Sequence, residues 1–131
     1  MALELVLIVD DNPQNLKLAK VILVAAGYEV KTAIDAEEAL RILESLTPRL
    51  ILMDLQLPRM DGLDLARRLK ADPAHRNIII IALTAYAMKG DDEKAFAAGC
   101  DGYISKPIDS DAFPRVVAEH LARRVGRGPD Q

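Results

Sequence analysis

Strand-like and helix-like segments alternate along the whole chain of 131 residues. Short β-rich apolar runs are followed each time by a segment whose apolar residues recur at helical spacing, with caps before it and Gly or Pro after it. The predicted strands are residues 5–9, 28–33, 50–53, 77–83 and 102–105. The predicted helices are residues 13–26, 36–46, 63–71, 88–98 and 109–124.

This alternation implies parallel strand pairing with right-handed crossovers. We therefore expect an α/β fold, a doubly wound five-stranded parallel sheet of order 2-1-3-4-5 in a flavodoxin-like three-layer sandwich. The strand at 77–83 is the most hydrophobic and is predicted to be central. One domain is expected over residues 1–125, followed by a flexible C-terminal tail at 126–131 that contains two Gly and one Pro.

Composition excludes several classes of function. The net charge is −3 and no run of Lys or Arg exceeds two, so a nucleic-acid partner is not expected. No apolar run approaches the roughly 18 residues that span a bilayer, and no basic region precedes the first apolar run. We expect a soluble cytoplasmic protein. Cys100 is the single cysteine and is predicted to be a buried small hydrophobe rather than a nucleophile.

Polar side chains follow four of the predicted strands. The Asp10–Asp11 pair, Asp54, Thr84 and Lys106 each come at or just beyond a strand end. In an open parallel sheet, ligands bind beyond the carboxyl ends of the strands, at the point where the strand order reverses. Three carboxylates gathered there would repel by about 4 kcal/mol per pair at about 4 Å and an effective dielectric near 20. A hard divalent cation such as Mg²⁺ would join them, and the hydroxyl and ammonium suit an oxyanion.

Plainer interpretations exist for each residue. Asp11 or Asn12 is expected to cap the first helix, which explains one polar residue there but not the acidic pair. Asp54 and Thr84 would otherwise be ordinary strand-end residues, and Lys106 an exposed lysine. Their joint occurrence at the ends of four strands favours the site.

Five motifs span almost the whole chain: Val9-Asp10-Asp11-Asn12, Met53-Asp54-Leu55-Gln56-Leu57-Pro58, Met60-Asp61-Gly62, Leu83-Thr84-Ala85 and Ser105-Lys106-Pro107. Through these motifs, which occur in family order, the chain resembles the receiver domain of two-component response regulators. The run 84–91 also resembles single-domain regulators of the DivK type, which help control cell division and polarity in some bacteria. Receivers fused to hybrid histidine kinases carry a similar run.

The resemblance implies that Asp54 is the phosphoacceptor, a carboxylate nucleophile that forms an acyl phosphate. It implies that Asp11 and Asp54 bind Mg²⁺ directly and that Asp10 acts through a bound water. The backbone carbonyl of Gln56 would supply a further ligand.

The resemblance also assigns the residues around the phosphoryl group. Lys106 would pair with it, aimed by a cis peptide bond to Pro107, and Thr84 would donate its hydroxyl to it. Tyr103 would be the switching aromatic of a helix 4–strand 5–helix 5 face, although a plain half-buried strand aromatic also fits. Tyr86, two residues after Thr84, would slow hydrolysis.

The implied function is a phosphorylation-dependent signalling switch. Its partners would be a histidine kinase or histidine phosphotransfer protein and a downstream protein target, with no membrane or nucleic acid. It would catalyse only its own phosphorylation and dephosphorylation, so a turnover enzyme is not expected. His75 and His120 have no partner at metal-ligand spacing and are interpreted as incidental.

Three alternatives remain open. One is a receiver module of a hybrid kinase-type phosphorelay. A second is an aspartate-nucleophile phosphatase of the haloacid dehalogenase type, but that class has Asp-x-Asp where this chain has Asp10-Asp11-Asn12-Pro13. A third is a flavodoxin with FMN, whose phosphate the acids after the first strand would repel.

Overall fold

The computed structural model describes residues 4–55, 57, 61–84, 90–105 and 111–127, with backbone alone for residues 91 and 123–127. Strands and helices alternate through these residues, and no helix among them is both long enough and apolar enough to cross a membrane. The elements are β1 Leu5–Val9, α1 Pro13–Ala25, β2 Glu29–Ala33, α2 Ala36–Leu43, β3 Leu50–Asp54, α3 Gly62–Ala71, β4 Ile79–Thr84, α4 Asp91–Ala97, β5 Gly102–Ser105 and α5 Ala112–Arg127.

The five strands form one parallel sheet in the order β2-β1-β3-β4-β5. The predicted fold class and strand order are confirmed. The strand β4, predicted to be central from its hydrophobicity, lies in the interior of the sheet between β3 and β5, and β3 is the middle strand, as in the predicted order. Every residue of both strands is buried. A continuously hydrophobic strand is one that is packed on both faces of the sheet. Its hydrophobicity does not indicate how many other strands lie on each side of it.

Side chains of the inner strands alternate between two cores. Ile51 and Met53 pack on one face of the sheet, against α2, α3 and α4. Leu50 and Leu52 pack on the other face, against α1 and α5. The sheet therefore separates two apolar layers, and β3 contributes to both.

Residues before and after α1 set its ends. Asn12 is the N-cap: its side-chain oxygen accepts hydrogen bonds from the backbone N–H groups of Gln14 at 2.9 Å and Asn15 at 3.2 Å. Pro13 takes the first helical position, where its missing N–H costs nothing. Gly27 follows the helix with φ of +100°, a conformation that glycine adopts without strain. Of the two predicted caps, the structure selects Asn12 and leaves Asp11 for another role.

The helices α1 and α3 match their predicted bounds to within one residue, α2 ends three residues before its predicted end, and α4 and α5 differ at both ends. Among described residues α4 begins at Asp91, and the predicted first residues of that helix fall in 85–89, outside the description. The helix α5 runs to Arg127, two residues past the predicted domain boundary, while residues 128–131 of the predicted tail lie outside the description. Pro114 is the third residue of α5, within the first turn, where helices tolerate proline.

Cys100 lies between α4 and β5 with 5% of its surface exposed. Burial raises the pKa of its thiol to about 11; the nearby Asp101 carboxylate adds to the rise and the Lys70 ammonium opposes it. At pH 8 only about one thiol in a thousand would be the reactive thiolate. We expect no reaction of the native protein with Ellman's reagent at pH 8 and one equivalent after denaturation in guanidinium. Rapid stoichiometric labelling of the native protein would contradict the predicted packing role.

Candidate functional site

Three strands bring their predicted polar residues to one edge of the sheet. Val9 of β1 lies opposite Met53 of β3 in the parallel register, so Asp10 follows β1 where Asp54 ends β3. Asp54 in turn lies opposite Leu83 of β4, directly before Thr84. This edge holds the carboxyl ends of the strands, where the sequence placed the site.

Asp10, Asp11 and Asp54 form an acidic cluster. Each offers one carboxylate oxygen, and these oxygens all lie within 4.8 Å of one another. Asp10 and Asp54 are buried, with 1% and 5% of their surfaces exposed, while Asp11 is exposed. Close carboxylates removed from water repel strongly unless a cation offsets their charge. The donor set, carboxylate oxygens with one side open to solvent, fits a hard divalent cation that keeps some of its waters.

The carboxylate of Asp10 is held in a fixed orientation. Its Oδ1 accepts a hydrogen bond from the backbone N–H of Asn12 at 2.9 Å. Its own backbone N–H donates to the carbonyl oxygen of Ala33 in β2 at 3.0 Å. The backbone of Asp10 is therefore tied to the sheet, and its side chain to the start of α1.

The backbone of Asp54 is enclosed by the start of α3. The N–H of Gly62, the first residue of α3, donates to the carbonyl oxygen of Leu55 at 3.2 Å. A Cβ atom added at Gly62 would lie 2.5 Å from the carbonyl oxygen of Asp54 and 2.8 Å from the Cα of Leu55. Only glycine fits this approach. Asp61 caps α3 by accepting the N–H of Leu63 at 2.9 Å.

Gly62 is a site residue whose role sequence reasoning missed. In the sequence Gly62 is part of the turn motif Met60-Asp61-Gly62. That motif does not indicate that the glycine lies against the backbone of Asp54 and Leu55. The structure shows that it permits the contact between α3 and the strand that carries Asp54.

Thr84 and Tyr103 lie on neighbouring strands. Thr84 ends β4 with 3% of its surface exposed and pairs in register with Ser105 of β5. Tyr103 pairs with Ala82 and is half-buried against the core that contains Ala82. Since side chains alternate along a strand, Thr84 and Ala82 point to the same face of the sheet. Tyr103 thus lies on the face toward which Thr84 points.

Four predicted site residues lie outside the described part of the chain: Gln56, Tyr86, Lys106 and Pro107. Their roles, and the cis bond between Lys106 and Pro107, stay predictions.

The two histidines make contacts away from the acidic cluster. His75 places Nδ1 2.8 Å from a carboxylate oxygen of Asp72 and Nε2 3.4 Å from the carbonyl oxygen of Leu43, at the end of α2. His120 places Nδ1 2.9 Å from the carbonyl oxygen of Val116, one turn earlier in α5. Within the described residues neither belongs to a group that could hold a metal ion.

Comparison with known proteins identifies the family. Residues 6–118 match the response regulator receiver domain. The chain belongs to this family. It is 44% identical over 116 residues to the polar-differentiation response regulator DivK of Brucella anthropi, a match that covers 88% of the chain and 94% of that relative.

Solved receiver domains have the same fold. The response regulator receiver domain protein (CheY-like) of Methanospirillum hungatei is 33% identical, with a TM-score of 0.86 over 97% of this chain and 100% of that one. The receiver domain of the sensor histidine kinase PA1611 from Pseudomonas aeruginosa is 35% identical, with a TM-score of 0.84 over 92% and 99% of the two chains. That structure has a magnesium ion coordinated in its active-site cleft.

The predicted family and its DivK-type resemblance are confirmed. In this family phosphorylation takes place on an aspartate with Mg²⁺. Receiver domains interact with histidine kinases and downstream targets, and they do not form a classical enzyme family. The acidic cluster of this receiver domain has the composition that such chemistry needs.

Proposed function

We propose that this receiver domain accepts a phosphoryl group on Asp54 from the phosphohistidine of a histidine kinase or phosphotransfer protein in the cytoplasm. The observation that carries the proposal is the place of Asp54 within the cluster. It ends β3, between the β1 strand that leads into Asp10 and Asp11 and the β4 strand that ends in Thr84. A phosphoryl group on Asp54 would have acidic metal ligands on one side and a hydroxyl donor on the other.

The chemistry is a displacement at phosphorus. A carboxylate oxygen of Asp54 forms the new bond to phosphorus, the bond from phosphorus to the donor's imidazole nitrogen breaks, and its electron pair returns to that nitrogen. Catalysis of this transfer consists mainly of positioning and charge stabilisation. Burial of Asp54 and the contact of Gly62 with its backbone hold the nucleophile in place.

The acidic cluster would hold Mg²⁺. We assign Asp11 and Asp54 as direct ligands, Asp10 as a ligand through water, and the backbone carbonyl of Gln56 as a further ligand. The hydrogen bond from the Asn12 N–H to Asp10 and the exposure of Asp11 support this division. When bound, the ion would neutralise the charge that develops on the phosphoryl oxygens.

Phosphorylation of Asp54 would change the contacts of three other residues: Thr84, Lys106 and Tyr103. Thr84 would donate its hydroxyl to a phosphoryl oxygen and Lys106 its ammonium. Movement of Thr84 would leave room for Tyr103 on the same face of the sheet, and the α4–β5–α5 surface would change with it. The half-buried position of Tyr103 supports such a two-state element. Loss of the phosphoryl group would follow by hydrolysis in the same site, slowed by Tyr86.

Likeness to DivK supports control of protein partners in cell division or polarity. A second candidate is a receiver module in a hybrid kinase-type phosphorelay, because receiver domains of histidine kinases are 33% and 35% identical to this chain. Onward transfer separates the two: a relay module would pass its phosphoryl group to a histidine phosphotransfer protein within minutes. A terminal switch would lose it to water instead.

Labelling with a small phosphodonor tests the proposal. The protein is incubated with acetyl phosphate and Mg²⁺, and the adduct is mapped by mass spectrometry after acidic digestion. We expect one base-labile phosphoryl group on Asp54, absent when a chelator is added first. Labelling on a histidine or serine, or none at all, would contradict the proposal.

Replacing Thr84 with Ala is expected to slow phosphorylation of Asp54 by at least about tenfold. The reason is the loss of one hydrogen bond to a charged oxygen, typically worth about 1.5–3 kcal/mol. Thr84→Ser keeps the hydroxyl and serves as the matched control, with a rate within about threefold of the wild type. The measurement is the initial rate of acyl phosphate formation at fixed phosphodonor and Mg²⁺. Equal rates for Thr84→Ala and the wild type would show that the Thr84 hydroxyl does not assist phosphorylation.

A further inference from the structure

We propose that Asn12 is a positioning residue: it fastens the carboxylate of Asp10 to the start of α1, and this sets the affinity of the acidic cluster for a divalent cation. The inference rests on the proposed function in one respect, since it requires that Asp10, Asp11 and Asp54 bind Mg²⁺.

Asn12 makes contacts in two directions. Toward the cluster, its backbone N–H donates to Oδ1 of Asp10 at 2.9 Å. Toward α1, its side-chain oxygen accepts the N–H groups of Gln14 and Asn15, and its carbonyl accepts the N–H of Leu16 at 3.1 Å. One residue therefore joins the first turn of the helix to a buried carboxylate.

The two sets of contacts are coupled through the backbone of Asn12. Its φ of −94° and ψ of 113° are those of an N-cap, and the two hydrogen bonds to its side chain keep the residue in that extended conformation. The direction of its N–H depends on the same backbone angles. Without the side-chain oxygen, the backbone at residue 12 samples other conformations and the hydrogen bond to Asp10 is made for less of the time.

Orientation of Asp10 matters because cation binding uses specific lone pairs. A carboxylate already turned to its binding orientation needs no ordering when the ion arrives, whereas a mobile one loses conformational freedom at that step. Groups that orient metal ligands typically change metal affinity by about 10–100-fold when they are removed. Asn12 acts on Asp10, which is buried, so water cannot easily replace the lost N–H.

The competing explanation is that Asn12 stabilises α1 and nothing else. A helix cap removed by Ala lowers stability, while Gly at the same position retains most of it. Gly nevertheless lacks the side-chain oxygen and has the most mobile backbone of any residue. The variant Asn12→Gly therefore separates positioning from stability.

The experiment compares four proteins: the wild type, Asn12→Gly, Asn12→Ala and Asn12→Ser. Mg²⁺ affinity is measured from amide chemical shifts at constant ionic strength, and thermal stability is measured on the same samples. We expect Asn12→Gly and Asn12→Ala to weaken Mg²⁺ binding about tenfold, the lower end of that range. Asn12→Gly should do so with little change in melting temperature, and Asn12→Ser should recover binding because its hydroxyl can cap the helix.

A helix-destabilising control completes the design. Ala19→Gly lies within α1 and weakens the helix without replacing any residue from 10 to 16. It should lower the melting temperature while leaving the Mg²⁺ affinity within about twofold of the wild type.

The possible results distinguish the positioning role of Asn12 from the proposed function. Unchanged Mg²⁺ affinity in Asn12→Gly overturns the positioning role, as does an equal loss of affinity in Ala19→Gly. Wild-type protein that fails to bind Mg²⁺ overturns the proposed function itself. These two failures are distinguishable because the second is seen before any variant is made.

Discussion

Asp54→Asn is expected to abolish phosphorylation, with no base-labile adduct from acetyl phosphate or from a cognate kinase. An amide nitrogen or oxygen does not replace a carboxylate nucleophile, and losses of about a thousandfold or more are typical when a nucleophile is removed. The fold should persist, because Asn nearly matches Asp in shape. Removing one of three clustered negative charges should also raise the melting temperature in buffer without divalent cations.

A matched control uses another aspartate at the same edge of the sheet. Asp61 caps α3 and lies outside the acidic cluster. Asn caps helices about as well as Asp, so Asp61→Asn should retain both stability and phosphorylation. Acyl phosphate found on Asp11 in the Asp54→Asn protein would instead show that the cluster has a different nucleophile.

Gly62→Ala is expected to lower the free energy of unfolding by about 3 kcal/mol and to impair phosphorylation as well. Helix propensity alone gives the opposite sign, since Ala is better than Gly in a helix by about 1 kcal/mol. Steric contact decides the outcome. The added carbon would lie 2.5 Å from the Asp54 carbonyl oxygen, which is backbone and cannot turn aside. The strand end or the start of α3 must move, and Asp54 moves with it.

Urea denaturation measures the stability change, and Gly27→Ala is the matched control. At Gly27 the added carbon meets nothing within 4 Å, but φ is +100°. That variant should lose about 1 kcal/mol from backbone strain and should be phosphorylated normally. A Gly62→Ala protein as stable as the wild type would refute the steric argument.

The fold could be predicted because helices and strands each leave a local periodic pattern of apolar residues in the sequence. The alternation of strands with helices implied the parallel order, and the polar residues after the strands implied one edge for Asp10, Asp11, Asp54 and Thr84. Both inferences require only that the strands run in the same direction, because parallel strands end at the same edge of a sheet. Burial on both faces makes β3 and β4 equally apolar, so hydrophobicity marks both as interior strands without telling which of them is the middle one.

Contacts made by the residues that begin α1 and α3 could not be predicted from the sequence. The approach of Gly62 to the Asp54 backbone depends on how the whole segment after β3 closes. The hydrogen bond from Asn12 to Asp10 depends on two backbone angles, which a capping pattern does not specify. Roles assigned to Gln56, Tyr86 and Lys106 came from resemblance and stay predictions.

The alternation of β3 side chains between two apolar layers has a consequence for the encounter with a donor. Leu52 and Met53, adjacent in the chain, are anchored on opposite sides of the sheet just before Asp54. Any displacement of the acceptor would disturb tight packing above and below at once. Under the proposed function, Asp54 would therefore stay in place during the transfer, and the incoming phosphohistidine would move and align itself to it.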